Sequence, residues 1–327
     1  MRGAGTGRER RIRRGAAALF AVLLSFGMQQ AAFAGTWQQD VFSAGSWSYA
    51  DTNEVGKTGW KWLDGNKDGR FECYYLDENG VMAAGKKLGG DTVNADGQWV
   101  LSGSIQQRTL PAWISAAPKE RRNQSVLAEG VKLQEALWYP LVSMSGKDVQ
   151  KAVNRKITEL VDSASVNTAS EGDILAGASE NTLDYDFLLS KQESYVGLSF
   201  QNYWYAKGAA HGMTMEYYLT ITPEKGILSM EDIGGKSLEQ AVTEEVRKEL
   251  RRRTEAGELG LFVGADSVTV DYSRNNWMLA DDGIHVIFQQ YEIAPYAAGL
   301  IDVTVPYAAV RGQMNAYGRM LTENAGA

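Results

Sequence analysis

Between Trp60 and Tyr75 the chain places five large rings, Trp60, Trp62, Phe71, Tyr74 and Tyr75, in sixteen residues among Gly, Asn and Asp, with almost no aliphatic bulk. The spacing predicts short hairpins. "GWKWLD" alternates, with Trp60, Trp62 and Asp64 on one face and Lys61 and Leu63 on the other. "GNKDGR" reads as a turn, "FECYYLD" as the return strand and "ENG" at 78–80 as a second turn. "VNADGQWVLSG" at 93–103 repeats the theme with Asp96-Gly97 at its turn and Trp99 on the return, and 35–51, with Trp37 and Trp47, supplies an imperfect further copy. One such unit cannot bury its own rings; stacked copies can bury each other's.

Three segments carry a likeness: "GWKWLDG", "CYYLDENGVMAAG" and "VNADGQW". They resemble the cell-wall-binding, choline-binding-type repeat family over residues 35–105. The resemblance implies a β-hairpin array whose rings hold wall polymer, peptidoglycan or teichoic acid, choline included. It marks Trp60, Trp62, Tyr74 and Tyr75 as ring positions, with Trp37, Trp47 and Trp99 in the further copies. The insertion "NKDGRFE" departs from the family pattern. The chemistry agrees, because indole and phenol faces attract quaternary ammonium groups and cover the apolar faces of sugars. The alternative is that the rings are the hairpins' own core.

The first turn holds a smaller signal. Asp64, Asn66, Asp68 and Gly69 match the opening of a calcium loop, with Glu72 as a further candidate ligand. The twelfth position, where an EF-hand carries its bidentate acid, is Tyr75. An Asp/Asn/Gly turn without metal is the commoner outcome.

Residues 1–34 read as a secretory signal peptide: six arginines, the apolar run "AAALFAVLLSFGM" at 16–28, and a small-x-small site ending at Ala34. The run is shorter than the roughly 20 residues of a membrane span, and no other long apolar run follows. The expected location is therefore secreted and wall-associated, with no span after cleavage. Without residues 1–34, 27 basic side chains face 39 acidic ones, a balance of −12 that argues against nucleic-acid partners. Cys73 is the lone cysteine, so no internal disulfide is expected. An envelope without routine disulfide formation, such as that of an anaerobic Gram-positive bacterium, fits.

Residues 106–130, with Pro111 and Pro118 among polar side chains, read as a linker or short tethering helix. Residues 131–327 have ordinary globular composition. An extended segment through Trp138–Val142 precedes a helix with Val149, Ala152, Val153, Ile157, Leu160 and Val161 on one face. "ESYVGLSFQNYWYAKG" and "MTMEYYLTIT" read as long strands joined by "GAAHG". A second helix starts at a Ser237/Gln240 capping box, buries Leu238, Val242, Val246 and Leu250, and stops at Gly257. "DSVTVDY", "NWMLADDGIHVIFQ" and "LIDVTVPY" supply further strands. The expected fold class is α+β: a short hairpin repeat array, then an antiparallel sheet with two or more helices packed on one face.

"YPLVSMSGKDVQKAVNRKI", "YWYAKGAAHGMTMEYYLTI" and "YEIAPYAAGLIDVTVPY" make this second region similar to the extracellular α+β module of lysozyme-sensing anti-sigma factors, also found ahead of some peptidoglycan deacetylase domains. That resemblance implies an extracytoplasmic binding or sensing unit, with a muramidase-like protein among its candidate ligands.

No catalytic residue and no cofactor is assigned from the sequence. His211 and His285 stand 74 residues apart, Cys73 lies in the other region, and zinc needs three or four ligands. No G-x-S-x-G elbow or P-loop occurs. Asp184 and Asp186 share one strand face, where a solvated or edge-protecting role is expected. In "KGAAHG", His211 reads as a loop-stabilising residue or as a groove contact with Tyr203, Tyr205 and Tyr217; Tyr291 and Tyr296 form a second candidate surface. His285 alternates in a strand and reads as structural. The function expected is a non-catalytic envelope protein, held on the wall by its hairpins and presenting a binding module. The rivals are a carboxylate-based peptidoglycan hydrolase and a self-associating assembly protein.

Overall fold

The computed structural model describes residues 36–39, 46–50, 59–126, 132–166 and 178–323. The signal-peptide expectation lies outside them. Hairpins form where the alternation and the Asp/Asn turns predict them. β1 (Thr36–Gln39) pairs antiparallel with β2 (Trp47–Ala50), and β3 (Gly59–Leu63) with β4 (Arg70–Leu76). β5 (Lys87–Leu88), β6 (Asp91–Val93), β7 (Trp99–Leu101) and β8 (Ser104–Ile105) make a small meander. Three turns share one construction. Asp64 accepts the Asp68 and Gly69 amides, Asp77 those of Asn79 and Val81, and Asn94 those of Asp96 and Gln98. Each loop closes on itself through a short polar side chain.

The described part of the expected linker, residues 106–126, forms strand instead. β9 (Gln107–Thr109) completes the β3–β4 sheet. β10 (Ile114–Val126) then pairs over its whole length with β11 (Lys132–Met144). Pro118 is tolerated because β10 is an outer strand. The polar composition marks an edge ribbon, with Arg121 pairing Asp162 at 2.7 Å.

α1 (Lys147–Ser163) carries the chain over the sheet to β12 (Glu180–Leu189), which pairs parallel with β11; the remaining pairings are antiparallel. A helical crossover delivers the next strand in the same direction, which a tight turn cannot do. β13 (Val196–Tyr205), β14 (Met213–Thr222) and β15 (Gly226–Ile227) complete a six-stranded sheet in sequence order. Val153, Ile157, Leu160 and Val161 of α1 are buried on it, whereas Ala152, expected on that face, is exposed. Buried Glu135 ties β11, β12 and the segment after α1 together, accepting from Ser165, Asn181 and the Val166 amide.

α2 (Met230–Ile233) and α3 (Gly235–Glu255) follow. The capping box sits at Ser229/Asp232 on α2, not at Ser237/Gln240, because α3 already begins at Gly235. β16 (Trp277–Ala280), β17 (Gly283–Phe288) and β18 (Ile301–Val305) form a separate three-stranded sheet. α4 (Tyr307–Val310) and α5 (Ala316–Leu321) close the described chain. Leu238, Val242, Val246 and Leu250 pack on the three-stranded sheet with Leu279, Ile284, Val286 and Val303. Its reverse face, through Met278 and Ile287, meets Tyr218 and Leu188 of the six-stranded sheet. The α+β class holds, but each sheet has its own helix instead of one sheet carrying both.

Candidate functional site

Strand register sorts the rings of the hairpin array. Trp60 stands opposite Tyr75 and Trp62 opposite Cys73, while Tyr74 stands opposite Lys61 on the reverse face. Trp60, Trp62, Tyr75 and Trp99 therefore gather. Trp60 lies 5.4 Å from Tyr75 and 5.6 Å from Trp99, and Trp62 lies 6.3 Å from Trp99, between ring centroids. The Trp99 indole donates to Asp91 Oδ1 at 3.0 Å, and the Arg108 guanidinium lies 5.1 Å from the Trp62 ring. Trp60 is 36% exposed.

Tyr74 and Trp37 belong elsewhere. With Tyr49, Leu63, Leu76 and Met82 they make the array's own small core, Trp37 lying 4.5 Å from Tyr74. Trp47 stands apart, 39% exposed, beside Asp77 and Asn79. The seven expected ring positions thus fall into three sets, and Tyr74 and Tyr75 part because neighbours in a strand point to opposite faces.

The calcium candidate is not assembled. Asp64 is occupied by two backbone amides, Asn66 by the Asp68 amide, and Glu72 by the Gln107 side chain at 2.8 Å. Among the described residues no group of three or more His, Cys, Asp or Glu side chains is arranged to hold a metal ion.

The turn has another use. Lys67 reaches the six-stranded sheet, 2.7 Å from Asp184, donating to the Tyr185 carbonyl at 2.8 Å and lying over the Tyr185 ring. Burial pushes the Asp184 carboxyl up to about 6, against the pull of Lys67. Asp186 accepts from the Tyr49 hydroxyl at 2.9 Å. These two aspartates lie on an internal strand and dock the array, so the expected edge-protecting role is wrong. Phe71, 1% exposed, enters the core beneath α1.

On the body, the two candidate surfaces converge. His211 stacks on Tyr296 with centroids 3.7 Å apart and planes at 21°. The Tyr291 hydroxyl lies 3.2 Å from His211 Nε2, and His211 Nδ1 lies 3.0 Å from the Gly212 carbonyl. Gly212 is required, since a Cβ there would meet the Tyr203 ring. Tyr205 bonds the Ala209 carbonyl and closes the loop. Tyr217 does not join them: it lies on the other face of β14, against the core under α1.

Sequence reasoning missed one cavity. A groove of about 540 Å³ lies between the two sheets, with β3, the outer strand of its sheet, along one side. Trp60 and Trp62 line it together with Met278, Leu300 and Ile301. Asp186 and Glu216 line it, as does His285, held between Asp302 at 2.8 Å and Asp282 at 2.9 Å. Burial lowers the affinity of His285 for its proton, but the two carboxylates override this and push its pKa up to about 10, so the ring is an imidazolium. The spacing in "DDGIH" hinted at Asp282; Asp302 came from strand pairing alone.

Among the described residues no helix is long and apolar enough to cross a membrane. No curated protein matches the chain. Two solved structures are similar: a DUF3298 family member from Bacteroides fragilis NCTC 9343 (12% identity, 67% of this chain and all of that one, TM-score 0.45), and a DUF3298 family protein from Pseudomonas aeruginosa PAO1 (17% identity, 64% of this chain and 96% of that one, TM-score 0.42). Residues 231–308, from α2 to the start of α4, match the family described as a protein of unknown function (DUF3298), so the C-terminal half of the body carries a domain of that type.

Proposed function

We propose that this is an exported, non-catalytic cell-envelope protein that attaches to wall polymer through its aromatic hairpins and presents the α+β body as a binding or sensing module. The observation that carries the reading is the gathering of Trp60, Trp62, Tyr75 and Trp99 on one side of the array, with Trp60 open to solvent. Flat, partly exposed rings beside hydrogen-bonding side chains suit the apolar faces of sugars. The common construction of the three Asp/Asn turns supports a repeated hairpin origin. The His211–Tyr291–Tyr296 cluster, with Tyr291 48% exposed, supports a second contact surface for a partner such as a muramidase-like protein.

The test is co-sedimentation of the whole mature chain with insoluble wall. Trp60→Ala with Trp99→Ala should abolish retention. Retention by the unaltered chain should persist at about 1 M salt, where charge pairing is screened within roughly 3 Å. Retention that collapses between low and moderate salt sinks the ring mechanism. Release of wall fragments by the protein, abolished by Asp186→Asn, replaces the reading with the hydrolase rival.

A further inference from the structure

We propose that the groove between the two sheets binds an uncharged oligosaccharide of acetamido sugars, a β-linked N-acetylhexosamine chain. This rests on the wall-binding reading and selects, among wall polymers, a neutral glycan over the polyphosphate of a teichoic acid.

The groove has the volume of a small-ligand site, about 540 Å³, and β3 lines it with two indoles, Trp60 and Trp62. Indole faces cover the apolar faces of pyranose rings. The rings continue beyond the groove, since the Trp99 centroid lies 5.6 Å from that of Trp60 and 6.3 Å from that of Trp62. Such a succession suits a chain of sugars better than a single one. Met278, Leu300 and Ile301 offer acetamido methyl groups an apolar lining, and the hydroxyls of Ser190, Ser199 and Thr304 offer uncharged partners for sugar and amide groups.

The charges of the lining are engaged within the protein. Asp186 accepts from the Tyr49 hydroxyl at 2.9 Å, Asp281 from the Lys191 amide at 3.0 Å and Glu258 from Arg252 at 3.0 Å. Arg253 is held by Glu249 at 2.8 Å, and His285 by Asp282 and Asp302 at 2.9 and 2.8 Å. A charged ligand would have to compete for these partners, and a partly buried charge that loses its partner is costly. An acetamido sugar competes for none, because acetylation has removed the charge of its amine. A polyphosphate meets a second obstacle, since the six carboxyl groups of the lining outnumber Lys61, Lys191, Arg253 and the His285 imidazolium.

The test is calorimetric titration of the mature chain with three probes: a β-1,4-linked N-acetylglucosamine tetramer, its free-amine counterpart and a glycerol-phosphate oligomer. The acetylated tetramer should bind at least tenfold more tightly than either of the others, and its affinity should change less than twofold between low salt and about 1 M salt, where charge pairing is screened. Trp60→Ala should weaken that binding at least tenfold, whereas Trp47→Ala, which removes an exposed ring away from the groove, should leave it unaltered. Ala298→Arg, which puts a long side chain into the groove from the body, should also weaken it, with a melting curve to show that the fold survives. Binding as tight to the free-amine tetramer or the phosphate oligomer overturns the inference. So does equal loss in Trp47→Ala and Trp60→Ala, or full binding by a folded Ala298→Arg. If no probe binds while the chain still sediments with wall, the inference fails and the wall-binding reading stands. If the chain also fails to sediment, both fall.

Discussion

The hairpin array and the α+β body bury their hydrophobic side chains in different ways. In the body, the stripes of α1 and α3 each lie on a sheet, and residues such as Ile157, Leu198, Val246 and Phe288 are fully buried. The array has strands of two to seven residues and, among the described residues, one small buried cluster of its own, Tyr49, Leu63, Tyr74 and Leu76. Its turns are held by Asp and Asn side chains, and the body adds further burial: Phe71 beneath α1, Lys67 against Asp184, Tyr49 against Asp186. A small unit with little core can keep a ring-rich surface open only if another part of the chain supplies its stability. The array is thus an extension of the body.

Breaking Phe71 should have the largest effect. Phe71→Ala removes a fully buried ring shared by both regions and should cost about 3–5 kcal/mol. Array and body should lose stability together, in one thermal transition. Two transitions, with that of the body unmoved, would mean that the array is an independent unit and the comparison is wrong.

Lys67 comes next. Lys67→Met leaves Asp184, 3% exposed, without its cation and should cost about 3 kcal/mol. The same pair sharpens the comparison through pH. Asp184 titrates at about 6 in the folded chain against an ordinary 3.8, so folding tightens its hold on the proton. Its contribution is full below about pH 4 and is lost as pH rises through about 6. Melting curves of the unaltered chain and Asp184→Asn should therefore diverge to the disadvantage of the unaltered chain over that window. A difference that is flat, or that grows in its favour, removes Asp184 as the docking group.

The smallest effect belongs to a surface pair wholly within the body. Glu249 accepts from Arg252 and Arg253, which hold its carboxyl down at about 2. A depressed pKa gives stability that is present above about 4.5 and lost as pH falls through about 2. Because the pair is partly exposed, Glu249→Gln should cost less than about 1 kcal/mol at neutral pH, and the difference should shrink in high salt. Denaturant midpoints at low and high salt measure it. A cost as large as that of Lys67→Met would erase the contrast between docking and surface pairs.

The local features were legible in the sequence because their causes are local. Asp64, Asp77 and Asn94 turn the chain through hydrogen bonds within five residues. The stripe Leu238, Val242, Val246 and Leu250 declares α3 through a spacing of four, and alternation declares β13 and β14. What each face would meet was decided by closures over long separations. Tyr74 and Tyr75 look alike in sequence, yet pairing with β3 sends one into a core and the other to an open ring cluster. The polar run after Pro118 became a strand because β11 was there to pair with it. Asp184 and Asp186 became docking groups because Lys67 and Tyr49, more than a hundred residues away, reach them. The groove was decided in the same way, since Trp60 and Trp62 line it together with Asp186, His285 and Asp302 from other strands. Local periodicity fixes the direction of a side chain within its own strand or helix, but only the packed chain determines its neighbours, and binding depends on those neighbours.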